Sequence, residues 1–355
     1  MATILSRPTF SVGESSFTWQ DVVLAAILRG DWMAIEQQAR LGLSLVEWAE
    51  NNDASPSEEE LDAASQEFRY ERDLVTAEEM EAWLDRCGLT IEEWMDYIER
   101  SLLRQREQDG SIADLSDDTL TEGDIADCVV TEAICSGELA RLADTLAAHA
   151  AVAARAAESG AAEAAAPEET EIEQLVARTE RALSTSGLDI PADSVRDRIA
   201  ELAHQEQAFR RTSQAMLTES AIRAQIEAHR LDWIRIDVRD LALSDEAAAK
   251  EAAMCLREDG ASLESVAADA HAEVVDGHYY IDDADPEARP LLLSAQPDEL
   301  VGPLQFPDGF HLLYVREKTM PTDENPEIRR RAQEALLGRI SENESQSRVR
   351  WHERL

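Results

Sequence analysis

Between residues 17 and 104 the apolar positions recur every three or four residues, the period of helices that bury one face. Trp19, Val22, Val23, Ala26 and Ile27 begin the stripe, and Trp32, Ile35, Leu41, Leu45 and Trp48 continue it. The run from Asn51 to Pro56 is a polar break. Ser57 followed by EEELDAASQEFR reads as an N-cap with acids in the first turn, and Thr76 with Glu79 as a capping box. Gly88 closes that helix, and Thr90 caps the next, whose Ile91, Trp94, Met95, Ile98 and Leu102 share one face. Helices are therefore predicted throughout 17–104.

The polar segment 107–117 predicts a linker. After it the earlier pattern returns: 17–50 lies over 120–154, 58–69 over 169–181, and 88–105 over a helix near 198–217. That order predicts a tandem duplication; the alternative is the likeness any two amphipathic helices share. The alanine-rich stretch 156–170 predicts a frayed helix or a joint, and 184–191 another break. Past Leu231 the period changes to two. DWIRIDV at 232–238 reads as a strand with Ile234, Ile236 and Val238 on one side. Ser244 and Ser262 are expected to cap two helices. EVVDGHYYI at 273–281 is a second strand, PEARPLLLSA a short helix, and ELVGPLQF at 299–306 a third strand, with Pro303 marking an edge. A turn at Pro307-Asp308-Gly309 leads into a fourth strand, FHLLYVRE. The fold class expected is mainly α with a C-terminal α+β domain built on a four-stranded antiparallel sheet.

The 355 residues are 44% hydrophobic and 30% charged, enough apolar mass for buried cores in roughly two or three domains. The formal net charge of −41 repels phosphate and anionic lipid, so nucleic acid is not an expected partner and basic or neutral peptides are. The acids are spread over many helices, so the charge also reads as plain solubility. No run of ~18 apolar residues is present to span a bilayer, and the opening residues lack a basic start followed by an apolar run. Membrane insertion is not expected, and a cytoplasmic location is. Cys87, Cys128, Cys135 and Cys255 include no C-x-x-C pair, which suits a reducing compartment. Histidines and cysteines show no metal-ligand spacing and no nucleotide or hydrolase motif occurs, so neither a metal nor any other cofactor is expected.

The segment VGPLQFPDGFHLLYV at 301–315 resembles the closing hairpin of the parvulin (PpiC-like) family of peptidyl-prolyl isomerases, and DGASLESVAADA at 259–270 resembles a helix of that family. SEEELDAASQEFR with AWLDRCGLTIEEWMDYIERSLL is similar to the N-terminal module of SurA-like and trigger-factor-like chaperones. The resemblance implies helical modules at 10–106 and 117–218, a parvulin-like domain at 229–319, and a C-terminal helix at 323–345 packed on the modules through Ile328, Ala332, Ala335, Leu336 and Ile340.

Parvulins twist a prolyl amide with an apolar pocket and a small polar cluster. The resemblance places His311 at the last strand's histidine, the catalytic candidate, and Arg235 where the first strand's histidine belongs. The family's glycine pair is reduced to Gly277 beside His278. Leu291 and Leu292 stand in for the pocket's methionine and phenylalanine. Arg235, His278, Leu291, Leu292, Phe306 and Phe310 are the peptide-binding candidates, and the departures imply a degenerate active site. The plainer readings remain beside these: His311 as a structural residue of the sheet, Arg235 as a solvated one, and the tryptophans at 19, 32, 48, 83 and 94 as core rather than a peptide groove.

The function implied is a chaperone-like protein that holds an unfolded or precursor peptide during folding, maturation or export. The alternatives are an active isomerase, or a scaffold for a peptide-modifying enzyme or exporter.

Overall fold

The computed structural model describes residues 2–110, 122–158, 169–185, 188, 190, 192–306 and 309–355. The chain divides into two compact units, Met1–Ala215 with Arg339–Leu355, and Met216–Gly338.

The first unit is helical around one large apolar core and a smaller cluster of Leu45, Ala49 and Leu103. Its helices are α1 (Ala2–Leu5), α2 (Trp19–Arg29), α3 (Trp32–Asn51), α4 (Glu58–Glu71), α5 (Ala77–Cys87), α6 (Ile91–Gln108), α7 (Glu122–Cys135), α8 (Glu138–Glu158), α9 (Glu169–Thr185) and α10 (Ala192–Met216). Thr18, Ser57, Thr76 and Thr90 each form a full capping box: the side chain accepts from the N3 backbone while the N3 carboxylate accepts from the cap's own N–H. Each such cap stabilises its helix by about 1 kcal/mol. Trp19, Trp32, Trp83 and Trp94 are buried and Trp48 is half-buried, so the tryptophans are core residues. Residues on both sides of the 107–117 segment share that core, Val22, Trp94 and Ile98 with Val129, Leu142 and Ile199. Of that segment, 111–117 lies outside the described residues, as do 159–168 of the alanine-rich stretch.

Two features of this unit lie outside the predicted pattern of amphipathic helices. Residues 8–18 form a hairpin, β1 (Pro8–Val12) with β2 (Ser15–Thr18), and β1 pairs on its other side with β7 (Val349–Trp351). The aromatic rings supply the cause: Phe10 stacks on Phe17 at 4.6 Å and meets Trp351 at 5.2 Å. The second feature is a buried ion cluster. Glu132 on α7 lies 2.6 Å from Arg104 and 3.4 Å from Arg100, both on α6. Gly42 on α3 makes room for it, since a Cβ there would stand 2.8 Å from Arg104 Nη1.

The second unit begins with α11 (Glu219–Ala228) and carries the four-stranded antiparallel sheet in the order β4-β3-β6-β5. Its strands are β3 (Arg235–Leu243), β4 (Val274–Tyr280), β5 (Leu300–Phe306) and β6 (Gly309–Thr319). Between β3 and β4 run α12 (Glu246–Arg257) and α13 (Leu263–Asp269); α14 (Ala288–Ser294) precedes β5. The mainly α protein with an α+β part is thus the observed fold class, and β5, with its Pro303, is an edge strand. Alternation along β3 separates two cores. Ile236 and Val238 pack with Leu292 of α14, whereas Leu241 and Leu243 pack with Ala249 and Leu263 of α12 and α13.

Several local expectations are corrected. The first strand runs to Leu243 rather than ending at 238. Its charged residues are answered by Glu264 for Arg239 and His311 for Asp240, so charge does not end the strand. Asp245, not Ser244, caps α12, accepting from Ala248 N at 2.9 Å. The final helix, α15, spans Pro326–Arg348. Its Ile328 and Ala332 are buried within the second unit against Ile222, Ile226, Trp233 and Tyr280. Only its residues from Arg339 belong to the first unit. Pro307 and Asp308 of the expected turn lie outside the described residues. Among the described residues, no helix is long and apolar enough to cross a membrane.

Candidate functional site

On the sheet face covered by α14, β3 presents Val238, Asp240 and Ala242 in alternation. Val238 is buried, but Ala242 is exposed, so the helical cover ends along this strand. β6 pairs with β3 and presents Val315, Leu313 and His311 to the same face. The open end of the face therefore brings a histidine beside a carboxylate.

His311 Nδ1 lies 3.0 and 2.9 Å from the two oxygens of Asp240. Tyr279 on β4 donates its hydroxyl to Asp240 Oδ2 at 3.2 Å. A carboxylate only accepts, so the Nδ1–H of His311 is the donor to Asp240. His311 is 6% exposed, so this polar cluster is largely withdrawn from water. Both oxygens of Asp240 are hydrogen-bonded within it, as buried polar groups require.

An apolar wall stands next to the cluster. The Phe306 ring lies 4.5 Å from that of His311, and Leu304 is its register partner on β5. A bulge between Val301 and Leu304 inserts one residue, which turns Leu304 and Phe306, rather than Pro303 and Gln305, onto the His311 face. Gly302 makes this bulge sterically feasible: its φ is +118°, and a Cβ would sit 2.5 Å from the carbonyl oxygen of His311.

From Leu304 and Phe306 a cleft of about 620 Å³ opens, walled by Leu291, Pro303 and Phe310 and rimmed by Glu246, Lys250, Asp285 and Glu287. Leu291 is 49% exposed, an apolar side chain without cover. A second cleft, of about 710 Å³, lies beside Leu256, Leu263, Leu300 and Tyr314. Its polar groups are engaged: Arg239 with Glu264, Arg257 with the carbonyls of Leu300 and Gly302, Tyr314 with Asp298. The smaller cleft, touching the His311 cluster through Phe306, is the better candidate site.

The structure brings His311, Leu291, Phe306 and Phe310 to this region. Leu292 is buried in the core instead. Arg235 is not the first-strand partner of His311. It pairs with Tyr280 and Thr319 at the far end of the ladder and forms a 2.6 Å ion pair with Asp237. With His278 it lines a charged hollow of about 450 Å³ elsewhere on the sheet. Sequence reading missed Asp240 and Tyr279. Their signal is register: Asp240 precedes by two residues Ala242, the partner of His311, and Tyr279 shares the face of Ile236.

No protein-family model matches the chain, and no curated protein matches it. Among solved structures, the chain is similar to the peptidylprolyl isomerase PrsA of Bacillus anthracis, at 16% identity and a TM-score of 0.31 over 56% of this chain and 92% of that one. It is similar to PrsA of Bacillus subtilis at 14% identity and a TM-score of 0.22, over 62% and 86% of the two chains. The foldase protein PrsA of Streptococcus pneumoniae gives 12% identity and a TM-score of 0.27, over 66% and 92%.

Proposed function

We propose that the protein binds unfolded or precursor polypeptide and assists its folding or maturation, with the cleft at Leu291, Leu304 and Phe306 receiving an apolar or prolyl segment of the client. The observation that carries this reading is an uncovered apolar cleft in direct contact with a shielded polar cluster. An apolar pocket of a few hundred Å³ with a few convergent polar groups is the ordinary form of a binding site. The order of strands and helices from β3 to β6 also fits the parvulin resemblance of the closing hairpin.

One observation favours a second reading, active prolyl isomerisation. The group opposite His311 is a carboxylate held by a tyrosine, so the cluster is not emptied by the absence of a first-strand histidine. Rotation about a prolyl bond needs no covalent step, and is slow, tens to hundreds of seconds, without help. Fixed dipoles beside the amide that favour its twisted form would be sufficient.

The test is capture and turnover together. Fluorescence anisotropy with an unfolded, proline-containing peptide measures binding, and exchange NMR on the same peptide measures isomerisation. Binding lost in Leu291→Asp and Phe306→Ala supports the cleft. Binding without any rate increase supports the non-catalytic reading, and a rate increase abolished in His311→Ala supports the isomerase. Failure to bind any unfolded peptide overturns both.

A further inference from the structure

The rim of the cleft carries uncompensated negative charge. Glu246 is matched by Lys250 at 2.6 Å on the same helix turn. Asp285 and Glu287 also line the cleft, are exposed, and form no ion pair among the described residues. Asp285 Oδ1 accepts only from the backbone N–H of Glu287, at 2.8 Å. The nearby cation Arg289 is turned away from them, donating to the carbonyls of Ala284 and Asp282. Two carboxylates thus stand at the mouth of an apolar cleft with no cation of the cleft left to answer them.

We infer that the cleft selects client segments in which a lysine or arginine lies next to the apolar or prolyl residue it receives. This inference rests on the reading of the cleft as a polypeptide site. A basic side chain can place its alkyl stem along Leu291 while its charged end reaches Asp285 or Glu287, the way long cationic side chains cover apolar surface. An acidic segment meets like charge there and loses affinity. The net charge of −41 acts in the same direction at longer range, speeding the approach of basic segments and slowing acidic ones. Exposed ion pairs are individually weak, so each carboxylate contributes roughly a two- to five-fold preference, diminished by salt.

The experiment uses the full chain and three labelled peptides that differ only in the residue before proline: lysine, alanine or glutamate. Anisotropy titrations are run at low and high salt, with wild type and with the double variant Asp285→Asn, Glu287→Gln. The expected result is affinity in the order lysine, alanine, glutamate, a spread of roughly ten-fold at low salt, and collapse of that spread in high salt and in the variant. Equal binding of all three, or an unchanged order in the variant, overturns the charge selectivity and leaves the cleft reading standing. Binding of none of them removes the cleft reading and the selectivity with it. Circular dichroism of the variant excludes misfolding, since both substitutions are on exposed positions.

Discussion

Asp240 and His311 are diagonal neighbours across the β3–β6 ladder, with His311 Nδ1 2.9 Å from Asp240 Oδ2. The pair ties the open end of the sheet together through this hydrogen bond. Replacing His311 with alanine leaves a mostly shielded carboxylate with Tyr279 as its remaining side-chain partner among these three. The expected cost is about 1–3 kcal/mol in chemical unfolding of the protein. Asp240→Asn preserves shape and one acceptor, and is expected to cost less. If His311→Ala unfolds at the same denaturant concentration as wild type, the pair contributes nothing to the fold.

Gly302 is the tightest point of the candidate site. Its φ of +118° and the 2.5 Å approach of a hypothetical Cβ to the His311 carbonyl leave no room for a side chain. Gly302→Ala is expected to lower stability by about 2–4 kcal/mol and to abolish peptide capture, because the bulge that aims Leu304 and Phe306 must rearrange. A stable Gly302→Ala protein that still binds peptide would contradict the role given to the bulge.

Glu132 bridges two guanidinium groups in the first unit, where its side chain is 2% exposed and those of Arg100 and Arg104 are 5% and 10%. Removing it strands buried positive charge. Glu132→Ala is expected to lose about 3–5 kcal/mol. Glu132→Gln, retaining a hydrogen-bond acceptor, should fall between that variant and wild type. Equilibrium urea unfolding, monitored by tryptophan fluorescence, reads the difference, since Trp94 lies in this core.

The thiols should differ sharply in reactivity. Burial pushes the Cys87 thiol up to about 12 and raises that of Cys135 as well. Both are sealed in the core, as is Cys128, while Cys255 is partly exposed. At pH 8 the Cys87 and Cys135 thiols hold almost no thiolate, the reactive form. Alkylation of the native protein followed by peptide mass spectrometry is expected to mark Cys255 first, with Cys87 and Cys135 labelled only at the rate of unfolding. Rapid labelling of Cys87 would show that this core opens readily.

Acid should weaken the first unit through Glu206. Burial raises its pKa, but the hydrogen bond from His149 at 2.8 Å and the charges of His149, Arg29 and Arg210 outweigh that and hold it below 4.5. A carboxyl depressed in the folded state stabilises the fold above its unfolded value. That contribution is lost as the pH falls through the lower, folded value. Glu206→Gln is therefore expected to be less stable than wild type at pH 7, with the gap narrowing below pH 4.5. A gap that stays constant down to pH 3 would rule out this linkage.

The helices were legible because their signals are local: Ser57, Thr76 and Thr90 announce their caps within three residues, and Gly88 its stop. His311 was legible because the hairpin motif around it is contiguous. Asp240 was not, because in sequence an Arg-Asp pair at the end of a strand looks solvated. Only the pairing of β3 with β6, some 70 residues apart, sets it against an imidazole. Choosing Arg235 followed from counting along a strand whose true end lay five residues further on. The hairpin of residues 8–18 gave little periodic signal, since strands of five and four residues are short and the third strand, which pairs with the first of them, is 337 positions or more away.

That third strand, residues 349–351, has a consequence for the order of assembly. Phe10 and Val12 wait on Val349 and Trp351, so during translation the first unit stays incomplete until the ribosome has released those late residues. The uninterrupted stretch 216–338 has apolar cores of its own and does not wait on residues 349–351. The polypeptide thus encloses a contiguous insert within a frame whose first and last strands must find each other across it.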